Sequence, residues 1–174
     1  WSKKRGFYKF GTRKQMIDER ALIFGESVGL IKEKYEADIT KVMKASRLEK
    51  GVFFFEFLGP SSFAGWHSSE EAHTVTMFDA NIHRLGMLQP KVYLKMFGHL
   101  DIAPLLYRGK PNEDFLTEVR EGTLEGMTHE GVICKAPHPK IKGGVLMFKV
   151  KNQTWYDELR IKCAGDESLF VDKS

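Results

Sequence analysis

The chain has 174 residues, of which 42% are hydrophobic and 29% charged, and its formal net charge is +4. This length and composition suit one globular domain with a real core, and the charge permits a polyanionic partner without requiring one. No apolar run reaches the length of a membrane span and no signal peptide opens the chain, so no membrane partner is expected. Cys134 and Cys163 form no disulfide framework, which favours reduced thiols and a cytoplasmic location.

Residues 1–13, WSKKRGFYKFGTR, are basic and aromatic. The string KKRG predicts a turn between two short strands, in which Gly6 adopts the backbone angles that other residues avoid. The aromatic residues of this segment have two readings of equal weight. They could stack on a nucleic acid strand between the basic residues, or they could belong to a hairpin packed on the core.

Next along the chain, apolar residues recur at steps of three and four over residues 26–46, which predicts an amphipathic helix. These residues are Val28, Ile31, Tyr35, Ile39 and Val42. Residues 51–59, GVFFFEFLG, predict a strand that Gly59 and Pro60 end. Residues 60–73 read as a loop and residues 74–79 as a further strand.

The second half predicts helices over about 91–100 and 112–121, the latter capped at or beside Asn112. Strands follow at 131–134 and 145–151, joined by a long loop rich in glycine and proline. Residues 155–165, WYDELRIKCAG, are amphipathic enough to pack on the core, and DESLFVDKS reads as a terminus or a linker. Because no regular βαβ alternation occurs, we expect a single α+β domain with mainly antiparallel sheets.

Charged residues interrupt three of these apolar strands. Glu56 lies within the first strand and Glu130 begins another. Lys149 and Lys151 project from one face of the last strand, whose other face is apolar and is expected to pack on the core; that face carries Leu146, Phe148 and Val150. A buried, unpaired carboxylate is costly, so we expect Glu56 to have a partner or to face a cavity. Two acids and two amines around one cavity would satisfy one another and could bind a nucleotide, although a lysine pair alone is more often a solvated face.

Five segments, in this order, resemble motifs of the covalent nucleotidyltransferases, which include ATP-dependent ligases and mRNA capping enzymes. They are KFGTR (9–13) for motif Ia, FFFEFLG (53–59) for III, TMFDANI (76–82) for IIIa, EGVICK (130–135) for IV and FKVKN (148–152) for V. The spacing, the K-x-K-N of motif V and the Gly-Pro after motif III are most similar to the RNA ligase 2-like branch. The resemblance implies an adenylation domain of antiparallel sheets flanked by helices, ATP-grasp-like in architecture.

The resemblance also implies an activity: ATP-dependent joining of 5′-phosphate and 3′-hydroxyl ends, most of all of RNA, as in RNA repair in a bacterial or phage-infected cell. It implies that Lys149 and Lys151 neutralise the α-phosphate and the departing pyrophosphate. It implies that Glu130 helps to hold Mg²⁺ or Mn²⁺, and that Arg13 binds a phosphate or the strand end.

The remaining residues would bind ATP or AMP. The resemblance implies that Glu56 accepts hydrogen bonds from the ribose hydroxyls and that Phe78 stacks on adenine, although by pattern alone Phe78 reads as a core residue. Lys135 matches the end of motif IV, but by strand alternation it faces away from Glu130 unless the strand bends.

Motif I, K-x-D-G, which holds the adenylylated lysine of the family, does not occur in the chain. Its nearest counterpart, Lys3-Lys4-Arg5-Gly6, has Arg in place of Asp and reads as a turn. We expect the nucleophilic lysine upstream of residue 1 or on another chain, so this chain alone would not self-adenylylate. Two alternatives stay open: a DNA ligase or GTP-dependent capping enzyme on the same fold, and a catalytically inert nucleic-acid-binding relic.

Overall fold

The computed structural model describes residues 1–60 and 70–173, which form small sheets and helices. The strands are β1 (Phe10–Gly11), β2 (Met16–Ile17), β3 (Gly51–Leu58), β4 (Thr74–Ile82), β5 (Gly86–Met87), β6 (Gly131–Pro137) and β7 (Val145–Lys151). The helices are α1 (Gly25–Ala45), α2 (Pro90–Phe97), α3 (Glu113–Glu121), α4 (Gln153–Lys162) and α5 (Glu167–Lys173). The mixed α+β class and the antiparallel pairing are as predicted.

The described chain divides into two compact units. The first comprises residues 1–60, 70–103 and 135–146, and the second comprises residues 104–134 and 147–173. Among the helices of the described ranges, none is long and apolar enough to cross a membrane.

The first unit is built on the antiparallel sheet β3-β4-β5, with α1 and α2 packed on its inner face. Phe53 and Met77 on the strands, Tyr35 and Ile39 on α1, and Phe97 on α2 are buried in this core. Tyr35 extends from α1 to the sheet, where its hydroxyl accepts from the N–H of Met77 at 3.2 Å. The predicted helix face is therefore the packed face, except that Met43 rather than Val42 is its last fully buried member.

A β-bulge changes the alternation of side chains between β3 and β4. Phe54 pairs with Asp79, but the next residue, Phe55, pairs with Met77. Phe78 is therefore the extra residue of β4. The outer face of the sheet carries Phe54, Glu56 and Asp79, while Phe53 and Phe55 face the core.

The second unit has a separate core, where α3 packs on one face of the β6-β7 hairpin. Phe115 and Val119 of α3 meet Val150 of β7, and Val132 and Cys134 of β6 pack beside them. Asn112 caps α3 by accepting from the N–H of Phe115 at 3.0 Å, as predicted. The last residues differ from the prediction, because 167–173 form α5 rather than a linker and Phe170 packs beside the buried Trp155 and Leu159 of α4.

Candidate functional site

A glutamate and two lysines meet at the base of the β6-β7 hairpin in the second unit. Lys151 Nζ donates to Glu130 Oε1, and Lys149 Nζ lies 3.7 Å from the same oxygen. Of the four charged residues predicted to lie around one cavity, these contacts bring together Glu130, Lys149 and Lys151. We call these residues the hairpin-base cluster.

Gly131 explains how Glu130 reaches the lysines. The N–H of Asn152 donates to the carbonyl of Glu130 at 3.1 Å, so simple alternation would place the Glu130 side chain on the Val132 and Val150 face, which packs on α3. However, Gly131 has a φ of +129°, a value that L side chains rarely adopt. The chain therefore bends just before β6, and the carboxylate contacts the lysine face.

The two lysines have different environments. The Lys151 side chain is 4% exposed, and its ammonium lies 4.0 Å from the centroid of the Trp155 ring as well as beside Glu130. An ion pair and an aromatic face together compensate a buried cation. The Lys149 side chain is 54% exposed. Lys149 is therefore accessible to a ligand, whereas Lys151 is a fixed charge behind it.

The prediction that Leu146, Phe148 and Val150 form a buried face of β7 is wrong for the first two. Val150 is buried against α3, but Leu146 is 42% and Phe148 44% exposed. Of the 9 residues of α3, Phe115 and Val119 are buried, and Val150 is the buried β7 residue that packs against them. Apolar alternation gave the correct faces but not the extent of their burial.

Glu56 does not occupy the buried position that the apolar strand implied. It is exposed on the outer face of β3, opposite Thr76. Phe78, displaced by the bulge, is only partly buried on the same face, where its ring lies 6.1 Å from that of Phe54. Phe78 does not belong to the main core, so its ring is available on a surface that also carries a carboxylate.

The buried acid of this sheet is Asp79, which sequence reasoning did not single out. It is 3% exposed and accepts hydrogen bonds from Lys135 Nζ and from the N–H of Ala80. The Lys135 ammonium also lies 5.3 Å from the centroid of the Tyr93 ring. Burial and the nearby Asp79 carboxylate raise the pKa of Tyr93, and its hydroxyl donates to the carbonyl of Met77.

Arg13 lies in the turn of the β1-β2 hairpin, where it is exposed. Thr12 shapes this turn, because its hydroxyl accepts from the N–H groups of Lys14 and Gln15 at 3.2 Å each. The predicted turn at residues 3–6 is also present. The backbones of Ser2 and Gly6 exchange hydrogen bonds, Gly6 has a φ of +62°, and Lys3 and Lys4 are exposed.

The predicted metal ligand, Glu130, lies beside the ammonium groups of Lys149 and Lys151. Within residues 1–60 and 70–173, no group of three or more His, Cys, Asp or Glu side chains is placed to hold a metal ion. Magnesium is often held by one or two carboxylates together with the phosphates of a nucleotide, and Glu130 would supply one such carboxylate.

Part of the predicted loop at 60–73 lies outside the described residues. At its described end, His73 Nδ1 lies 2.7 Å from Glu26 Oε2 and its ring stacks on Phe57. A second histidine contact lies near the hairpin-base cluster, where His129 Nε2 lies 2.9 Å from Glu158 Oε2.

Comparisons of the chain with protein-family models, with curated proteins and with solved structures found no match.

Proposed function

We propose that this chain carries the nucleotide-binding residues of an ATP-dependent RNA ligase of the covalent nucleotidyltransferase type. The observation that supports this proposal most is the hairpin-base cluster, in which Glu130 holds Lys151 and lies 3.7 Å from Lys149. The motif resemblance assigns the phosphates to the two lysines and the metal to Glu130. The ordered motifs supply the reaction class, and the cluster supplies charge of the type that this reaction needs.

In the proposed reaction a lysine attacks the α-phosphate of ATP and expels pyrophosphate. The AMP then moves to a 5′-phosphate end, and a 3′-hydroxyl attacks that end and releases AMP. Each step is an in-line displacement at phosphorus, so catalysis depends on positioning and on neutralising charge. A bound Mg²⁺ would add positive charge at the phosphates, with Glu130 as its protein ligand.

The proposal gives the two lysines different roles because their exposures differ. Lys149, with its exposed ammonium, contacts a phosphate oxygen directly. Lys151 stays between Glu130 and Trp155 and contributes a fixed positive charge. Arg13 keeps its proposed role at a phosphate or strand end, which its exposure allows.

For the first unit, the proposal assigns adenine stacking to Phe78 and the ribose hydroxyls to Glu56. The partial exposure of Phe78 and the exposure of Glu56 on one sheet face support these roles. Lys135 is proposed to assist nucleotide binding, but its ammonium is held by Asp79. We therefore propose that Lys135 contributes to the shape and charge of this face and does not contact a phosphate directly.

The experiment that tests the proposal is incubation of the chain with α-labelled ATP and Mg²⁺, followed by a denaturing gel and a native binding assay. Because K-x-D-G does not occur in residues 1–174, we expect ATP to bind without a covalent label. A covalent label would place the nucleophile within the chain, and substitution of Lys3 or Lys4 would then remove it. Absence of ATP binding under native conditions would contradict the proposal.

The substrate is tested with the nucleophilic lysine supplied on a K-x-D-G segment joined to the chain. We expect sealing of nicked RNA to exceed sealing of nicked DNA and capping of triphosphate ends. Faster sealing of DNA, or transfer of GMP to triphosphate ends, would instead identify one of the other enzymes on this fold. ATP binding with no transfer to any of these ends would identify an inert relic.

A further inference from the structure

The basic segment before β1 combines exposed cations with one exposed aromatic ring. Lys3, Lys4, Arg5 and Lys9 are exposed, and Tyr8 lies among them with 36% of its surface exposed. Residues 1–14 contain no Asp or Glu. We call Lys3, Lys4, Arg5, Tyr8 and Lys9 the basic strip.

The other aromatic residues of this segment have a structural role. Trp1 and Phe7 are buried in the core of the first unit, and Phe10 packs partly against it. Glu36 fixes the segment on α1 by accepting from the N–H of Phe7 at 2.7 Å. The core therefore holds the backbone of the segment, and Tyr8 is left at the surface on a rigid support.

Arg5 covers the ring of Tyr8, with its guanidinium carbon 3.7 Å from the ring centroid. This contact places a planar cation on a planar ring at a distance typical of stacking. Unpaired bases stack on aromatic rings and on guanidinium planes, whereas a base inside a duplex offers neither face. The pair therefore favours a single strand over a duplex.

A depression of about 280 Å³ adjoins Tyr8 and Lys9. Its lining includes the aromatic rings of Phe7 and Phe10, the apolar Met16, and Lys32. Asp18 and Glu19 also line it, but Glu19 pairs with Lys32 at 2.9 Å and Asp18 accepts from the N–H of Arg20. An aromatic depression beside exposed cations suits a base whose flanking phosphates lie along the strip.

We propose that the basic strip is a binding surface for single-stranded nucleic acid, with a base stacked on the Arg5–Tyr8 pair and phosphates on Lys9 and its basic neighbours. This inference rests on the proposed function in one respect only: in a ligase, the bound nucleic acid would be the substrate whose end is joined. Binding by the strip does not require ATP. The two proposals can therefore fail separately.

The test measures fluorescence anisotropy of a labelled, single-stranded uridine RNA over a range of salt concentrations. Because stacking contributes about 1–3 kcal/mol per base, Tyr8→Ala is expected to weaken binding about tenfold, while Tyr8→Phe retains it. Arg5→Ala is expected to weaken binding similarly. Lys9→Ala is expected to lower the slope of log affinity against log salt by about 0.7.

Lys91→Ala is the matched control, because Lys91 is an exposed lysine on α2 that does not line the depression, and the affinity of this variant for the RNA should equal that of the wild type. Thermal unfolding of each variant separates lost binding from lost folding. If Tyr8→Ala and Arg5→Ala, both folded, bind the RNA as tightly as the wild type, the inference is wrong. It is also wrong if the strip variants lose binding to phosphatidylserine vesicles but not to RNA.

An ATP titration of the same variants keeps the two proposals apart. The strip variants should bind ATP like the wild type. Loss of RNA binding in these variants, in a chain that binds no ATP, would support the strip and contradict the ligase proposal. If the chain binds ATP and the strip variants bind RNA as tightly as the wild type, the ligase proposal is supported and the strip proposal is contradicted.

Discussion

Asp79 has a side chain only 4% exposed, and its carboxylate accepts from Lys135 and from the N–H of Ala80. The Lys135 side chain is 15% exposed, so neither charge is well solvated. The cost of burying either ion is met by its partner, and removal of one leaves the other uncompensated. The pair therefore fixes Lys135 of β6 against Asp79 of β4.

We predict that Asp79→Asn lowers the free energy of unfolding by about 3 kcal/mol, because Lys135 then keeps a buried charge without its counterion. Urea denaturation measures this loss. Asp38→Asn, an exposed aspartate on α1, is the control and should change stability by less than about 0.5 kcal/mol. The double variant Asp79→Asn with Lys135→Met should lose less than the sum of the single losses. Additive losses would show that the two residues are not coupled.

Asp79 and Glu56 are both acids in apolar strands, but Asp79 is buried and Glu56 is exposed. An acid buried in an apolar strand needs a partner, and Asp79 has one in Lys135. Glu56 is exposed on the outer face of β3, so burial imposes no such requirement on it. Sequence alone could not choose between the two acids, because both lie on the outer face of the sheet and the choice depends on which of them meets Lys135.

At the scale of elements, the β6-β7 hairpin brings Glu130 to its lysines through the backbone of Gly131. A Cβ at this position would overlap the carbonyl oxygen of Val150 and lie 2.8 Å from the Cα of Lys151. The positive φ of +129° would strain any other residue as well. Glycine at position 131 is therefore required both for the close approach of the two strands and for the position of Glu130.

We predict that Gly131→Ala destabilises the protein by about 3 kcal/mol and weakens ATP binding, because the strand must shift away from Lys151 and move Glu130. Gly143→Ala is a close control, since Gly143 also has a positive φ, of +75°, but a Cβ there meets nothing within 4 Å. Its cost should be about 1 kcal/mol, with ATP affinity unchanged. Urea denaturation and calorimetric titration measure the two effects, and equal losses in both variants would contradict the role given to Gly131.

Periodicity predicted the existence and type of most elements, including α1, β3, α3 and β7, with boundaries close to those observed. It could not predict the bulge that makes Phe78 an extra residue of β4, since a bulge depends on the partner strand. Because periodicity could not predict the bulge, it also did not place Phe78 outside the main core. The approach of Trp155 to Lys151 was also missed, because the contact spans the end of a strand and the start of a helix, where neither period applies.

At the scale of the whole molecule, two buried tyrosines couple stability to pH. Burial raises the pKa of Tyr35 and of Tyr93, and for Tyr93 the Asp79 carboxylate raises the pKa further. The unfolded chain, with ordinary tyrosine pKa values near about 10, loses these protons first as pH rises. The stabilisation is therefore complete below about pH 10 and is lost as pH rises towards the folded pKa values.

We predict that the free energy of unfolding falls between about pH 9 and about pH 11, and that Tyr93→Phe falls less steeply because one of the two groups is gone. Urea titrations at a series of pH values, followed by circular dichroism, measure the slope. A wild-type slope that is zero or positive over this range, or identical slopes in the two proteins, would contradict the burial of these hydroxyls.

Calorimetric titration of ATP and of adenosine into the wild type and Lys149→Ala measures whether Lys149 binds nucleotide phosphate. We expect the variant to lose about tenfold in affinity for ATP and nothing for adenosine, because a charged hydrogen bond to phosphate disappears. Lys110→Ala, which replaces an exposed lysine of the same unit, should bind both ligands like the wild type. Equal ATP affinity in the wild type and Lys149→Ala, or no ATP binding by the wild type, would contradict the proposed role of Lys149.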